Sequence, residues 1–205
     1  MGIVVNRTLP AIFLRHIEGL EVAYLKQDDP IRQSGFSGGA ARWRAERGPI
    51  LDAIEEDGDL LDVGCANGFL LKCLLEWGRE LGLRLVPHGL DIGGRLIDLA
   101  KERLPEYAAN FHVGNAWDWQ PERKYRYVYM LYDCLPLDYL AEGVSRLLRR
   151  VVSPEGRLII GSYGSKSDSV PPFDIGGFLE AEGFEVVGRA EGGEGPITKF
   201  AWLDA

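Results

Sequence analysis

The chain has 205 residues, of which 46% are hydrophobic, so it is long enough for one domain with a substantial core. Its formal net charge is −8 and its isoelectric point is near 5.0, and no block of Lys and Arg alternates with aromatic residues, which argues against tight binding to nucleic acid. Three cysteines without a C-x-x-C motif, no signal peptide and no apolar run of membrane-spanning length predict a soluble cytoplasmic protein that does not contact a membrane.

The N-terminal segment predicts two helices joined by a glycine-rich loop. Apolar residues recur at helical spacing from Leu9 to Tyr24, with charged residues on the opposite side. Residues 33–39 are mostly glycine and serine, which predicts a mobile loop with little to contribute to a core. A second helix is predicted from Ala40 to about Arg47, followed by a short helix that leads to the first strand.

The stretch 60–70 predicts a strand, a tight turn and a helix, because a short apolar run gives way to small residues before helical spacing resumes. Gly64 and Gly68 allow the backbone to turn sharply and a ligand to approach the N-terminus of the helix. Asp62 would repel a pyrophosphate and would suit a ligand with an ammonium or sulfonium group. Taken by itself, this stretch fits an ordinary turn of a parallel sheet equally well.

A second acid favours the ligand site. The next predicted strand, residues 83–90, leads to Asp91, which lies 27 residues beyond Gly64. In folds of this kind an acid at this position accepts hydrogen bonds from ribose hydroxyls. The G-x-G-x-x-G motif of dinucleotide-binding proteins does not fit residues 64–68, so a nicotinamide cofactor is disfavoured.

Further strands and helices alternate towards the C-terminus, with strands predicted at 110–114, 125–131, 157–163, 184–189 and 198–203, and helices at 93–104, 139–152 and 173–182. The connection 190–197 is too short for a crossover helix, so the last two strands must be antiparallel neighbours. The chain is therefore predicted to be an α/β protein with a doubly wound, seven-stranded, mostly parallel sheet that ends in a C-terminal antiparallel hairpin.

Two motifs, Asp62-x-Gly64-x-x-x-Gly68 and Leu90-Asp91-Ile92, resemble the first two motifs of the class I S-adenosylmethionine (SAM) dependent methyltransferases. The resemblance continues through 113–117 and 125–131 and covers roughly residues 50 to 205. Two departures are visible: Ala66 stands where the family often has glycine, and Asn115 where it frequently has aspartate.

The resemblance implies that SAM lies across the carboxyl ends of the first four strands. Asp62 and the glycine turn would hold the methionine part and Asp91 the ribose. The amide oxygen of Asn115 would accept from the adenine amine, and its NH₂ group could donate to a ring nitrogen. Trp117 would either stack on adenine or cover the sheet edge. The implied cofactor-binding residues are Asp62, Gly64, Cys65, Ala66, Asn67, Gly68, Asp91, Ile92, Asn115, Ala116, Trp117 and Leu131.

The resemblance also implies two parts in the chain: an N-terminal helical extension of residues 1–48 and a SAM-binding domain of residues 49–205. In this family such an extension is often a lid over the cofactor, and the alternative is a packing extension that does not contact ligand. The glycine-rich loop favours the lid.

No catalytic residue stands out. The fourth strand runs into Tyr132 and Asp133, which are candidates for substrate contact or a general base, as are Tyr163 and Ser165 at second rank. The Asp-Pro-Pro-Tyr and Asn-Pro-Pro-Tyr motifs of some amino-methylating enzymes are absent there. The three histidines are expected to be packed or on the surface, and their spacing predicts no metal site.

The predicted function is methyl transfer from SAM to a small-molecule acceptor, which leaves S-adenosylhomocysteine (SAH) as the product. The alternatives are the same fold acting on a protein or RNA, with the acidic charge against RNA, and a non-catalytic protein that binds SAM or a nucleoside. Asp91 is expected to face the crevice, so that its removal weakens SAH binding with little effect on stability. The sequence leaves the acceptor and the oligomeric state open.

Overall fold

The structure is a computed structural model that describes residues 7–165, 169–195 and 197–205. Within these ranges the chain forms six α-helices: Ala11–Tyr24 (α1), Ala40–Arg47 (α2), Phe69–Glu80 (α3), Gly94–Arg103 (α4), Leu137–Arg150 (α5) and Ile175–Ala181 (α6). The strands are Gly58–Val63 (β1), Leu85–Asp91 (β2), Phe111–Val113 (β3), Tyr125–Leu131 (β4), Val152–Tyr163 (β5), Gly188–Gly192 (β6) and Thr198–Asp204 (β7). None of the described helices is long and apolar enough to span a bilayer.

The seven strands form one sheet in the order β3-β2-β1-β4-β5-β7-β6. The first five strands of the chain pair in parallel, and β7 lies antiparallel between β5 and β6. The prediction of a mostly parallel sheet with a C-terminal antiparallel hairpin is confirmed. The hairpin arises because the connection between β6 and β7 is too short to carry the chain across the sheet.

Apolar side chains cover both faces of the sheet. Successive residues of a strand point to opposite faces, so Leu60 and Leu61 of β1 belong to two different core clusters. On one side the core includes Leu71 and Leu74 of α3, and on the other it includes Leu140 of α5. Central strands that are buried on both faces read as continuous apolar runs, which is why β1 and β4 were recognisable in the sequence.

Two strands begin several residues away from their predicted starts. β6 begins at Gly188, and Phe184 and Val186 pack against the core from the segment before it. β5 begins at Val152, so the predicted turn at 153–156 lies inside the strand span as an irregularity, with Glu155 at φ 61°. Alternation of apolar residues predicts which side chains are buried, but it does not predict which backbone groups form hydrogen bonds between strands.

The glycine-rich segment 33–39 is part of the core, and the prediction that it contributes little to a core is wrong. Phe36 is 7% exposed, and its ring lies edge-on to Trp43 with 5.3 Å between ring centroids. Trp43 also packs against Phe69 at the start of α3. The segment after α1 is therefore packed against the sheet domain through its one aromatic side chain.

Candidate functional site

A cavity of about 390 Å³ lies at the carboxyl ends of the parallel strands. Parallel strands bring their carboxyl ends to one edge of the sheet, where α/β proteins bind ligands. The cavity is lined by the turn after β1, by the residues that follow β2, β3 and β4, and by α1. Its volume lies within the range of roughly 300 to 1,000 Å³ that small-molecule sites occupy.

The turn after β1 requires two of its glycines. Gly64 has φ 88°, and a Cβ atom there would lie 2.6 Å from Sγ of Cys134. Gly68 has φ 69°, and a Cβ there would lie 2.9 Å from Cβ of Ala100 on α4. Ala66, between them, also adopts the left-handed region with φ 46°, which is a strained conformation for a residue with a Cβ. The turn is therefore tightly packed against α4 and the segment after β4.

Asp91, at the end of β2, joins two turns at the cavity wall. Its Oδ2 accepts a hydrogen bond from the Ala66 N–H at 2.8 Å, and its Oδ1 accepts one from the Gly93 N–H at 2.8 Å. Burial raises the Asp91 pKa, and the two N–H donors oppose that shift. Asp91 lines the cavity, as expected, and it also stabilises the backbone of both turns, which the sequence did not predict. Each carboxylate oxygen retains a lone pair for a ligand hydroxyl.

Asp62, near the end of β1, is a buried carboxylate that is 2% exposed and does not line the cavity. No other described residue forms a hydrogen bond with its side chain. Burial, and secondarily the charge of Asp91, raise the pKa of Asp62 to about 8. A cation placed beside this group would favour the ionised form and lower the pKa again.

The structure brings together just over half of the predicted cofactor-binding residues. Seven of them line the cavity: Gly64, Ala66, Asp91, Ile92, Asn115, Ala116 and Leu131. The other five, which do not, are Asp62, Cys65, Asn67, Gly68 and Trp117. Asn67 is fully buried, and its amide donates to the Pro30 carbonyl at 3.0 Å and to Oε1 of Gln33 at 3.1 Å. It connects the glycine turn to the segment that follows α1.

At two of the adenine contacts implied by the resemblance, the structure fits only one of the alternatives that the sequence left open. The Trp117 ring is buried against Tyr139 of α5, with centroids 5.0 Å apart, and its Nε1–H donates to the Arg7 carbonyl at 2.7 Å. It cannot stack on a ligand in the cavity. The amide oxygen of Asn115 accepts from the N–H groups of Trp117 at 2.9 Å and Asp118 at 3.1 Å. The Asn115 NH₂ group, rather than its oxygen, is therefore available to a ligand.

One wall of the cavity comes from α1, which belongs to the extension that the resemblance implied to be a lid. Phe13, Ile17, Leu20 and Tyr24 follow one another at helical spacing, line the cavity and are only half-buried. Glu21 fixes the helix, because its Oε1 accepts a hydrogen bond from the Arg95 N–H in the first turn of α4 at 3.0 Å. The amphipathic pattern was visible in the sequence, but the surface that the helix covers was not.

Both weak catalytic candidates line the cavity. Tyr132 stacks on Phe173, with ring centroids 4.8 Å apart and an interplanar angle of 19°. Asp133 has exposed surface, yet it lies at the cavity, where desolvation raises its pKa and the nearby His16 on α1 lowers it. Tyr163, by contrast, lies outside the cavity, with its hydroxyl 2.6 Å from that of Tyr129.

Tyr24 connects α1 electrostatically to the strand ends. Burial raises its pKa, and so do the neighbouring Asp133, Asp91 and Cys134 in that order. The hydroxyl of Tyr24 is therefore held as a neutral donor among acidic groups. Among the residues that the structure describes, no group of three or more His, Cys, Asp or Glu side chains is arranged to hold a metal ion.

No protein-family model matches this chain, and no curated protein sequence is significantly similar to it. Solved structures with the same fold do exist. A SAM-dependent methyltransferase from Aquifex aeolicus is 20% identical with a TM-score of 0.57, over 88% of this chain and 96% of that one. A chain of the complex between the Haloferax volcanii Trm112 methyltransferase activator and a methyltransferase is 14% identical, with a TM-score of 0.67 over 92% of this chain and 97% of that one. The structure described as the DhpI-SAH complex is 15% identical, with a TM-score of 0.62 over 93% and 95% of the two chains.

Proposed function

We propose that this chain, which has the fold of the class I SAM-dependent methyltransferases, binds SAM and transfers its methyl group to a small-molecule acceptor. The observation that carries the proposal is the cavity at the carboxyl ends of β1 to β4. It combines a glycine turn, an acid at the end of β2 and an amide after β3, and α1 covers it. Fold alone does not imply activity, so the argument rests on these side chains.

The buried carboxylate of Asp62 fits the charged end of the cofactor. An ionised carboxylate without a partner is costly to bury, and a cationic ligand group would offset that cost. Gly64 lines the cavity, so a ligand can contact the backbone of the turn there. We assign Asp62 and the turn at 64–68 to the methionine part of SAM, whose sulfonium carries the methyl group to be transferred.

Asp91 and Asn115 fit the nucleoside end. Asp91 uses one lone pair of each oxygen for the Ala66 and Gly93 N–H groups, and the remaining lone pairs can accept from the ribose hydroxyls. The Asn115 NH₂ group can donate to a ring nitrogen of adenine. Apolar lining residues complete the surface for the flat base and the chain of the cofactor, namely Ile92, Ala116 and Leu131.

We propose that the N-terminal extension, residues 1–48, is distinct from the SAM-binding domain, residues 49–205, and that its helix α1 is a lid over the cavity. Residues 1–6 lie outside the described residues. The apolar stripe of α1 supports this division, because none of the residues of α1 is fully buried and the stripe faces the cavity. A ligand in the cavity would complete the burial of that stripe, and closure would exclude water from the reacting groups.

The protein would accelerate the reaction mainly by positioning its two substrates. Displacement at a sulfonium methyl group needs the acceptor held in line and at close range, and well-oriented reactants gain roughly 7 to 11 kcal/mol from such placement. A cavity of about 390 Å³ beneath a helix suits a small acceptor better than a protein or RNA chain. The net charge of −8 also disfavours RNA.

Titration calorimetry with SAH tests the proposal. The expected result is one site per chain, with a thermal shift of the same protein on adding SAH and none on adding a nicotinamide dinucleotide. The matched variant Asp118→Asn removes an exposed acid close to the site and should bind SAH as the unchanged protein does. No binding at millimolar SAH would refute the proposal. Binding of SAM without turnover of any small molecule would favour the non-catalytic alternative.

A further inference from the structure

Acidic side chains outnumber basic ones among the ionisable groups that line the cavity. They are His16, Glu21, Tyr24, Asp91, Tyr132, Asp133 and Cys134. No lysine or arginine among residues 7–165, 169–195 and 197–205 lines the cavity. The lining therefore has three carboxyl groups, and a fourth, Asp62, lies buried behind the glycine turn.

Two of the three lining acids already have donors. Glu21 accepts from the Arg95 N–H, and Asp91 accepts from the Ala66 and Gly93 N–H groups. The proposed function also assigns Asp91 to the ribose. Asp133 differs, because no other described residue donates a hydrogen bond to its carboxylate, so it is the acid left for the second substrate.

His16 lines the same cavity as Asp133. It is on α1 and lines the cavity one turn from Phe13 and two turns from Tyr24. It is the one imidazole among the described lining residues and has no hydrogen-bond partner among them. Asp133 reaches the same cavity from the segment after β4, so a ligand held there can contact both side chains. A neutral imidazole accepts a proton at its unprotonated nitrogen.

We propose that the methyl acceptor is a small amine, that Asp133 binds its ammonium form, and that His16 accepts the proton that must leave before transfer. This inference rests on the proposed function, since it names the acceptor of the same site. An acceptor that reacts through a carboxylate or phosphate oxygen would enter a cavity that has carboxylates and, among the described lining residues, no lysine or arginine, so repulsion would oppose its binding.

The atoms and charges balance. The ammonium group gives one proton to neutral His16, and the resulting amine has a lone pair. That lone pair forms a nitrogen–carbon bond to the methyl group as the carbon–sulfur bond breaks and its electron pair stays on sulfur. The sulfonium becomes the neutral thioether of SAH, and the methylated amine carries the positive charge. His16 then returns its proton to solvent through its exposed side.

Three probes of one shape but different charge test the acceptor class: benzylamine, benzyl alcohol and benzoate. Each is titrated into the protein saturated with SAH, so that only the acceptor part of the cavity is measured. Benzylamine is expected to bind at least about tenfold more tightly than either other probe, the factor that one charge-assisted hydrogen bond of about 1.5 kcal/mol supplies. Asp133→Asn should abolish this preference, and Asp118→Asn should keep it.

A second measurement separates the two roles. With SAM and benzylamine, His16→Gln should lower kcat at least about tenfold while changing KM little, as expected for a lost base. Asp133→Asn should instead raise KM. His112→Gln, which changes an exposed histidine on β3 outside the cavity, should do neither.

Each failure has a distinct meaning. Loss of SAH binding in the unchanged protein would refute the proposed function itself. Normal SAH binding with equal or tighter binding of benzoate or benzyl alcohol would overturn the amine assignment alone. Benzylamine that binds without being methylated, or a His16→Gln variant with unchanged kcat, would overturn the assignment of His16.

Discussion

Replacing Asp91 with alanine removes one carboxylate that has two tasks, so both stability and SAH binding should change. In the folded protein the Ala66 and Gly93 N–H groups lose their acceptor. An unsatisfied buried donor costs roughly 1 to 3 kcal/mol, but the site is only partly buried, and water replaces some of the lost bonding. Burial disfavours the charged form of Asp91 and raises its pKa, so removing the carboxylate offsets a further part of the lost stability. The expected net loss is about 1 to 3 kcal/mol, which leaves a domain of ordinary stability folded.

The loss of binding should be larger. A carboxylate that accepts two ribose hydroxyls makes two charge-assisted hydrogen bonds of roughly 1.5 to 3 kcal/mol each, so SAH affinity should fall by about two orders of magnitude or more. Asp91→Asn keeps one acceptor oxygen, so its losses of stability and affinity should both be smaller.

Urea unfolding measures the stability of these variants, and calorimetry with SAH measures affinity at a temperature where circular dichroism shows each variant to be folded. Asp118→Ala serves as the control, because it removes an exposed acid outside the cavity and should leave both quantities unchanged. A folded Asp91→Ala protein with the affinity of the unchanged chain would refute the assignment of Asp91 to the ligand. Unchanged stability would refute its backbone role.

Asp62→Asn should flatten the pH dependence of stability. The Asp62 pKa of about 8 lies above the value in the unfolded chain, so the protonated acid favours the folded state at low pH. This contribution of a few kcal/mol to the free energy of unfolding is lost as the pH rises from about 4 through 8. Parallel curves of urea stability against pH for the two proteins between about pH 5 and about pH 8 would contradict this. Ala66→Gly should relieve the left-handed strain and raise the free energy of unfolding by up to about 1 kcal/mol, and a urea midpoint below that of the unchanged protein would show that the strain is absent. Glu21→Ala should free α1 from the Arg95 N–H, so amide hydrogen exchange over residues 11–24 should become at least about tenfold faster without SAH and should slow when SAH is added. Glu18→Ala changes an exposed residue of the same helix and should leave the exchange rates unchanged. Equal exchange rates in both variants would mean that α1 is a packing extension.

The sequence by itself determined the order of the elements and the positions of the glycine turn and its two acids. A strand that runs into a turn is encoded by residues a few positions apart, so Asp62, Gly64 and Asp91 could be located without knowing what lies beside them. The antiparallel hairpin followed from the length of one connection, because residues 190–197 are too few for a crossover helix.

Only the tertiary structure decided where the side chains at the site point and which partners they meet. The Trp117 ring packs in the core against Tyr139, and Asp91 accepts hydrogen bonds from the N–H groups of two turns. Tyr139 and the turn after β1 come from distant parts of the chain, so the local sequence does not indicate these partners. The periodicity of α1 showed that the helix has an apolar face, but a helical pattern has no information about the surface that face will cover. His16 lies on α1 and Asp133 follows β4, and only the packing of α1 over the strand ends brings both into the wall of one cavity.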